Sequence, residues 1–158
     1  MNIFAHQSKE FVLRILTDAK LPTSDITEER LGYFFGCGSE LNLEGVVGIE
    51  AYGEFALLRS LAVVPARRGA GVGTALVAHA EQSALHQGVR WLYLLTTTAE
   101  TFLKRLGYAL LSRDEAPLSI RNTKEFSDIC PANSAFMVKH LPANPALNRT
   151  RADNARAG

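Results

Sequence analysis

The residues best suited to chemistry in this chain form one short run, Arg67-Arg68-Gly69-Ala70-Gly71-Val72-Gly73-Thr74. An apolar stretch ending at Pro65 precedes it and a helical apolar spacing follows, so its amides fall at a helix start. The first N–H groups of a helix have no intrahelical acceptor, and the helix dipole adds positive potential there; together they make an anion site. Glycine lets the backbone curl toward a phosphate with no Cβ in the way. Here Gly69, Gly71 and Gly73 alternate, Arg67 and Arg68 add charge, and Thr74 adds a hydroxyl donor. A pyrophosphate fits such a loop electrostatically. Two common nucleotide loops do not match. A P-loop requires Gly-Lys-Ser/Thr at its end, and this run has no lysine. A dinucleotide fingerprint requires glycine or alanine where Thr74 stands, and an acidic residue after the next strand, which here ends in Thr96-Thr97-Thr98. The bland alternative is a strand-to-helix turn that binds nothing.

A second group lies just upstream. Arg59 sits mid-strand among apolar neighbours, and burying an unpaired guanidinium is costly, so it needs an anionic partner. That partner is either a substrate carboxylate, which the guanidinium fork suits, or an internal carboxylate such as Glu50 on the preceding strand. Glu50 is also the first candidate for a general base acting on an amine, directly or through water; Glu54 is the alternative, in a turn. The absence of an obvious strong base favours an α-amine as nucleophile. Its reference pKa is about 7.7–8.0, against about 10.4 for lysine, so an appreciable fraction is neutral at pH 7.

The elements that must position these residues follow from periodicity. Ile3 to Ala5 reads as a short strand, and Ser8 caps a helix with Phe11, Val12, Ile15, Leu16 and Ala19 on one side. Asp25-Ile26-Thr27-Glu28 has the form of a capping box and predicts a short second helix to about Leu31. Strands are expected over Tyr33–Cys37, Leu43–Tyr52 and Phe55–Val64, the last two joined by a Gly53-Glu54 hairpin turn. Strict alternation puts Leu57, Arg59, Leu61 and Val63 on one face of the third strand, and Leu58, Ser60, Ala62 and Val64 on the other. A helix from about Gly73 to Gln87 follows the glycine loop. Then come a strand over Trp91–Thr96, a helix over Ala99–Leu106 closed by Gly107, and a strand over Tyr108–Leu111. Ala116–Ile129 is partly helical and Ala135–Lys139 is a last strand. Antiparallel strands followed by a β-loop-α-β unit make a mixed α/β single domain over residues 1–141, with a ligand crevice where the sheet changes character. Residues 142–158 hold one large apolar residue, Leu147, and are expected to form a disordered tail.

Composition narrows the setting. With 47% hydrophobic and 21% charged residues, 158 residues support one globular core. A net charge of +1 gives no reason to expect nucleic acid or an anionic membrane as partner. Cys37 and Cys130 are far apart and read as two reduced thiols. Met1 to Lys9 lacks the features of a signal peptide, and a cytoplasmic protein is expected.

Leu61-Ala62-Val63-Val64-Pro65 followed by Arg68-x-x-Gly71-x-Gly73 resembles motif A of the GNAT acetyltransferase superfamily, and Ala99-x-x-Phe102-x-x-x-x-Gly107-Tyr108 is similar to its next motif. The resemblance implies a splayed, mostly antiparallel central sheet flanked by helices, with acetyl-CoA as cosubstrate and no metal. Leu61, Ala62 and Val63 would lie along the pantetheine arm beside Phe102. Arg67, Arg68, Gly69, Ala70, Gly71, Val72, Gly73 and Thr74 would hold the pyrophosphate. A strand amide near Ala62 or Val63 would polarise the thioester carbonyl for direct attack by an amine. Many members carry a tyrosine after the motif phenylalanine that protonates the leaving thiolate. Leu103 stands there instead, which leaves the hydroxyls of the 96–98 run, Thr96 first, or water.

Leu58-Arg59-Ser60-Leu61-Ala62-Val63, Leu94-Leu95-Thr96-Thr97-Thr98-Ala99-Glu100 and the Ile120-Arg121 to Cys130-Pro131 stretch resemble the arsenic-resistance N-acetyltransferase branch. That implies a small amino acid or analogue as acceptor, its carboxylate on Arg59 and its amine facing Glu50. Homodimers are common in the superfamily. A protein or peptide acetyltransferase and a non-catalytic acetyl-CoA-binding module are the other readings, Leu103 supporting the last. His79 and His86 fall on a solvated helix face, Cys130 reads as a packing residue, and Trp91, Tyr93 and Phe102 read as core.

Overall fold

The computed structural model describes residues 2–5, 8–27, 33–39, 41–129 and 133–142. Seven strands, β1 (Ile3–Phe4), β2 (Phe34–Ser39), β3 (Asn42–Tyr52), β4 (Phe55–Val63), β5 (Trp91–Thr96), β6 (Ala109–Leu110) and β7 (Ala135–His140), form one sheet in the order β1-β2-β3-β4-β5-β7-β6. The helices are α1 (Lys9–Asp18), α2 (Val72–His86), α3 (Glu100–Arg105) and α4 (Leu118–Arg121). Val12, Ile15 and Leu16 recur at helical spacing and bury α1 on one face of the sheet. Leu76, Val77, Ala80 and Ala84 bury α2 on the opposite face against Val47, Ile49, Ala56, Leu58 and Leu92.

Every neighbouring strand pair is antiparallel except β4 and β5, which α2 connects in parallel. That pairing covers only Phe55–Leu57 against Trp91–Tyr93. Beyond it β4 stays with β3 and β5 stays with β7, so a wedge opens between them.

A β-bulge in β4 accompanies the opening. Gly48 pairs with Arg59 but Val46 pairs with Ala62, so two steps on β3 face three on β4. Ser60 takes up the extra residue with φ +55°, a left-handed conformation rare outside glycine. A bulge bends and twists its strand, and one inserted residue inverts the side-chain alternation after it. The expected faces of β4 are corrected accordingly. Leu57 packs with Tyr93, Ile120 and Phe136, and Arg59 lies near Phe34, on the α1 side. Past the bulge, Leu61 and Val63 turn to the α2 core, whereas Ala62 joins Val12, Leu16 and Val46 under α1.

Other differences are local. Ser8 makes no side-chain cap to α1. Residues 28–32, with most of the expected second helix, and residues 143–158, with the expected tail, lie outside the described residues, as does Cys130. The stretch at 116–129 is α4 plus a π-type turn over Glu125–Ile129. Trp91, expected in the core, is 39% exposed and its ring lies 4.4 Å from that of His140. Tyr93 is buried and Phe102 partly so, while His79 and His86 are exposed. Cys37 is a free, buried thiol whose pKa burial pushes up, with Glu44 adding to the shift, which keeps it a neutral packing group. No helix among the described residues is long and apolar enough to cross a membrane.

Gly48 is a tight point of this scaffold, since a Cβ there would lie 2.7 Å from Cζ of Phe34. Gly48→Ala is expected to lower stability by about 1–3 kcal/mol through overpacking, read from the urea unfolding midpoint.

Candidate active site

The glycine loop is built to expose its main chain. After β4, a 3-10 turn over Pro65–Arg67 leads into Gly69 and Gly71, whose φ values of +80° and +86° are glycine conformations. Gly71 is the N-cap of α2 and no side chain caps that end; Ala75 N–H makes a helix bond back to Gly71 O at 3.0 Å, and the amides ahead of it have no intrahelical acceptor. A Cβ on Gly69 or Gly71 would meet nothing within 4 Å, so the space in front of the loop is open. A Cβ on Gly73 would lie 3.4 Å from Phe102 and 3.7 Å from Val63, which makes Gly73 the seat against which Phe102 packs. Phosphate oxygens fit this open, uncapped helix start.

The other loop residues divide by exposure. Arg67, Arg68, Ala70 and Thr74 are exposed. The side chain of Val72 is buried under the loop, and that of Ala62 under α1, so main-chain groups are what these two can offer a ligand. Part of the arginine charge is directed inward: Arg67 Nε lies 3.3 Å from the Glu44 carboxylate, and Arg68 Nε donates to Val63 O at 3.4 Å.

Where β4 and β5 part there is a cavity of about 470 Å³. Leu58–Leu61 form one wall and Leu94–Ala99 the other; Leu103, Lys20–Pro22, Glu125 and Ser134 complete it. Thr96 is on this wall as expected of a candidate proton donor. Its Oγ1 accepts N–H bonds from Ala99 at 2.9 Å and Thr98 at 3.3 Å, which fixes the start of α3. A hydroxyl that accepts twice still has its own proton to donate. Leu103 is buried on the same wall, so the position that lacks the expected tyrosine does face the cavity.

Arg59 is placed differently from a free substrate clamp. The residue is 3% exposed and its guanidinium meets three carboxylates. Nη1 and Nη2 donate to the two oxygens of Asp25, the Nη2 bond at 2.7 Å. Nη1 also donates to Glu50 Oε1 at 2.7 Å, Nη2 lies 3.0 Å from Glu125 Oε1, and Nε donates to Ser60 Oγ at 3.2 Å. Burial by itself would lower the arginine pKa. The Asp25 hydrogen bonds, the Glu125 charge and the Glu50 hydrogen bond outweigh it and hold the pKa above its ordinary value, so the charge is permanent. Of the two partners open to Arg59, the internal one is observed, and it is three residues rather than Glu50 alone. With every guanidinium nitrogen engaged, the expectation that Arg59 grips a substrate carboxylate is corrected: its geometry is that of a positioning residue.

Glu50, expected as the base, is also moved. Its Oε2 accepts from the Tyr52 hydroxyl at 2.6 Å, and it lines a second cavity of about 640 Å³ beside Tyr33, Phe34 and Tyr52 rather than the wedge. The carboxylate that lines the wedge is Glu125. Sequence reasoning missed Glu125 because it lies in a π-type turn with no recognisable spacing, and Asp25 because its position imitates a helix cap.

Set against known proteins, this arrangement is familiar. Residues 31–110, half of the chain, match the Acetyltransferase (GNAT) domain family. The N-acetylglutamate synthase of Neisseria gonorrhoeae, solved with coenzyme A and N-acetyl-glutamate, superposes with a TM-score of 0.78 at 22% identity over 89% of this chain. This chain spans 35% of that protein's length. Rv2747 of Mycobacterium tuberculosis, solved with CoA, gives 0.73 at 18% identity, covering 90% of this chain and all of its own. An aminoglycoside 6'-N-acetyltransferase complexed with coenzyme A gives 0.66 at 17% identity, covering 92% and 99%. Comparison with curated proteins yields no match. The open glycine loop, the wedge between β4 and β5 and the family match converge: the chain belongs to the GNAT acetyltransferase family.

Proposed function

We propose that this protein transfers the acetyl group of acetyl-CoA to the amine of a small molecule, an amino acid or amino-acid analogue of the arsenic-resistance type, in the cytoplasm. The observation that carries the reading is the pairing of an uncapped, sterically open glycine loop with a cavity in the adjoining strand wedge. A cavity of about 470 Å³ suits a small acceptor, whose usual sites span roughly 300–1,000 Å³. The three stretches that resemble the arsenic-resistance branch line it through Leu58–Leu61, Leu94–Ala99 and Glu125. That structural neighbours were solved with coenzyme A supports the choice of cosubstrate.

Acetyl-CoA supplies an activated thioester. The chain's own groups do the rest. Of the main-chain donors from Arg68 to Thr74, those of Gly69 and Gly71–Thr74 hold the diphosphate, since Arg68 and Ala70 N–H donate to Pro65 O and Arg67 O, and Phe102 on Gly73 closes that side. The unpaired edge of β4 at Leu61–Val63 lies along the pantetheine arm. Glu125, held by Arg59, accepts the proton of the attacking amine directly or through water, the role first expected of Glu50. A carboxylate tied to a guanidinium is a weak base, so it serves best as the acceptor of a proton from an ammonium whose deprotonation the forming bond assists. The Thr96 hydroxyl donates toward the sulfur as charge develops there. A non-catalytic module is the second reading, favoured by Leu103 on the cavity wall.

Incubation with acetyl-CoA and a panel of amines, followed by free-thiol release, is expected to give acceptor-dependent release; tight binding without release from any amine would sustain the module instead. Gly71→Val, which forces a β-branched residue to φ +86°, is expected to weaken acetyl-CoA binding about tenfold or more, measured by titration calorimetry. Arg59→Met strands three carboxylates and is expected to cost about 3–5 kcal/mol in urea unfolding. Retention of wild-type stability would show that the cluster is solvated rather than buried.

A further inference from the structure

The wedge cavity has three charged residues among its described lining, Lys20, Arg59 and Glu125. Arg59 and Glu125 are within 3.0 Å of each other, and Arg59 is enclosed by carboxylates. Lys20 has no ion pair or side-chain hydrogen bond among the described residues. It stands at the exposed rim, directly after the C-cap of α1. Its backbone is left-handed, φ +59°, at a position where glycine or asparagine would be the unstrained choice. The same lining includes Ser134, 7% exposed, whose Oγ is buried and has no hydrogen-bond partner among the described residues. An unsatisfied buried hydroxyl is costly, and a rotation about χ1 would let a ligand's oxygen relieve it.

From these we infer that Lys20 and Ser134 bind an anionic group, a carboxylate or another oxyanion, carried by the same acceptor whose amine faces Glu125. The inference rests on the acetyltransferase reading above and adds the residues that select the acceptor's negative group beside its reactive amine. It also transfers the clamp role from Arg59 to a cation that is available for it. The cavity is thus polar in a defined sense, with a carboxylate for the amine and an ammonium for the anion, matching a zwitterionic amino acid. The helix dipole offers Lys20 a purely structural role, since cations are favourable at a helix C-terminus. That role would not depend on the charge of the acceptor.

The test compares each α-amino acid in a panel with its carboxamide, at equal concentrations of free amine, following thiol release by the full chain. Wild type is expected to prefer the acid by about tenfold or more in kcat/KM, the yield of one charge-assisted contact. Lys20→Met is expected to abolish that preference through KM for the acceptor, with KM for acetyl-CoA unchanged, and Lys20→Arg to restore most of it. Ser134→Ala is expected to reduce the preference by a few-fold. Turnover with no preference for the acid, or a preference that survives Lys20→Met, overturns the inference while leaving the acetyltransferase reading intact. No turnover of any amine overturns both. Circular dichroism and acetyl-CoA binding by each variant separate a folding defect from a lost contact.

Discussion

A single buried guanidinium organises this molecule. Arg59 lies in β4 where the sheet begins to open, and it ties together Asp25 from the segment after α1, Glu50 from β3 and Glu125 from the π-type turn. Among the described residues these elements are divided between apolar clusters: Ile26, Val46 of β3 and Ala62 of β4 share one with α1, and Leu57 of β4 shares another with Phe126 of the turn. Desolvating the charges is expensive, and the pairs repay it only if the geometry is satisfied at every nitrogen. Such a network is therefore an exacting one. It is met in one arrangement of α1, β3, β4 and the 125–129 turn, and that arrangement sets the wedge.

The bulge at Ser60 is the mechanical counterpart. It follows Arg59 immediately, and the Ser60 hydroxyl accepts from Arg59 Nε. The added residue bends β4 away from β5 after Leu57 and Tyr93, leaving one main-chain edge of each strand facing the cleft. It also directs Leu61 and Val63 to the α2 side. Strand, bulge, 3-10 turn and helix start are consecutive in sequence, so the glycine loop is anchored directly to the strand that lines the wedge.

The two ends of the site rest on different chemistry. What the glycine loop offers is main chain, so its requirement is conformational: positive φ at Gly69 and Gly71. The wedge cavity is lined instead by side chains drawn from distant segments, Lys20, Thr96, Glu125 and Ser134.

The same distinction separates what could be read from sequence from what could not. The alternating glycines, the flanking apolar strand and the helical spacing after them are local patterns governed by backbone sterics and periodicity, and they were enough to place the strand-to-helix glycine turn and the mixed sheet. The need of Arg59 for an anionic partner was also legible, since mid-strand burial of a lone charge is prohibitive. Which carboxylates would answer was not. Asp25 and Glu125 reach Arg59 only because the sheet and its covering segments bring them there, and nothing in their own neighbourhoods marks them. The inversion of faces along β4 was likewise invisible, because a one-residue bulge is decided by pairing with β3 and by the partners of Arg59, not by the alternation of β4 itself.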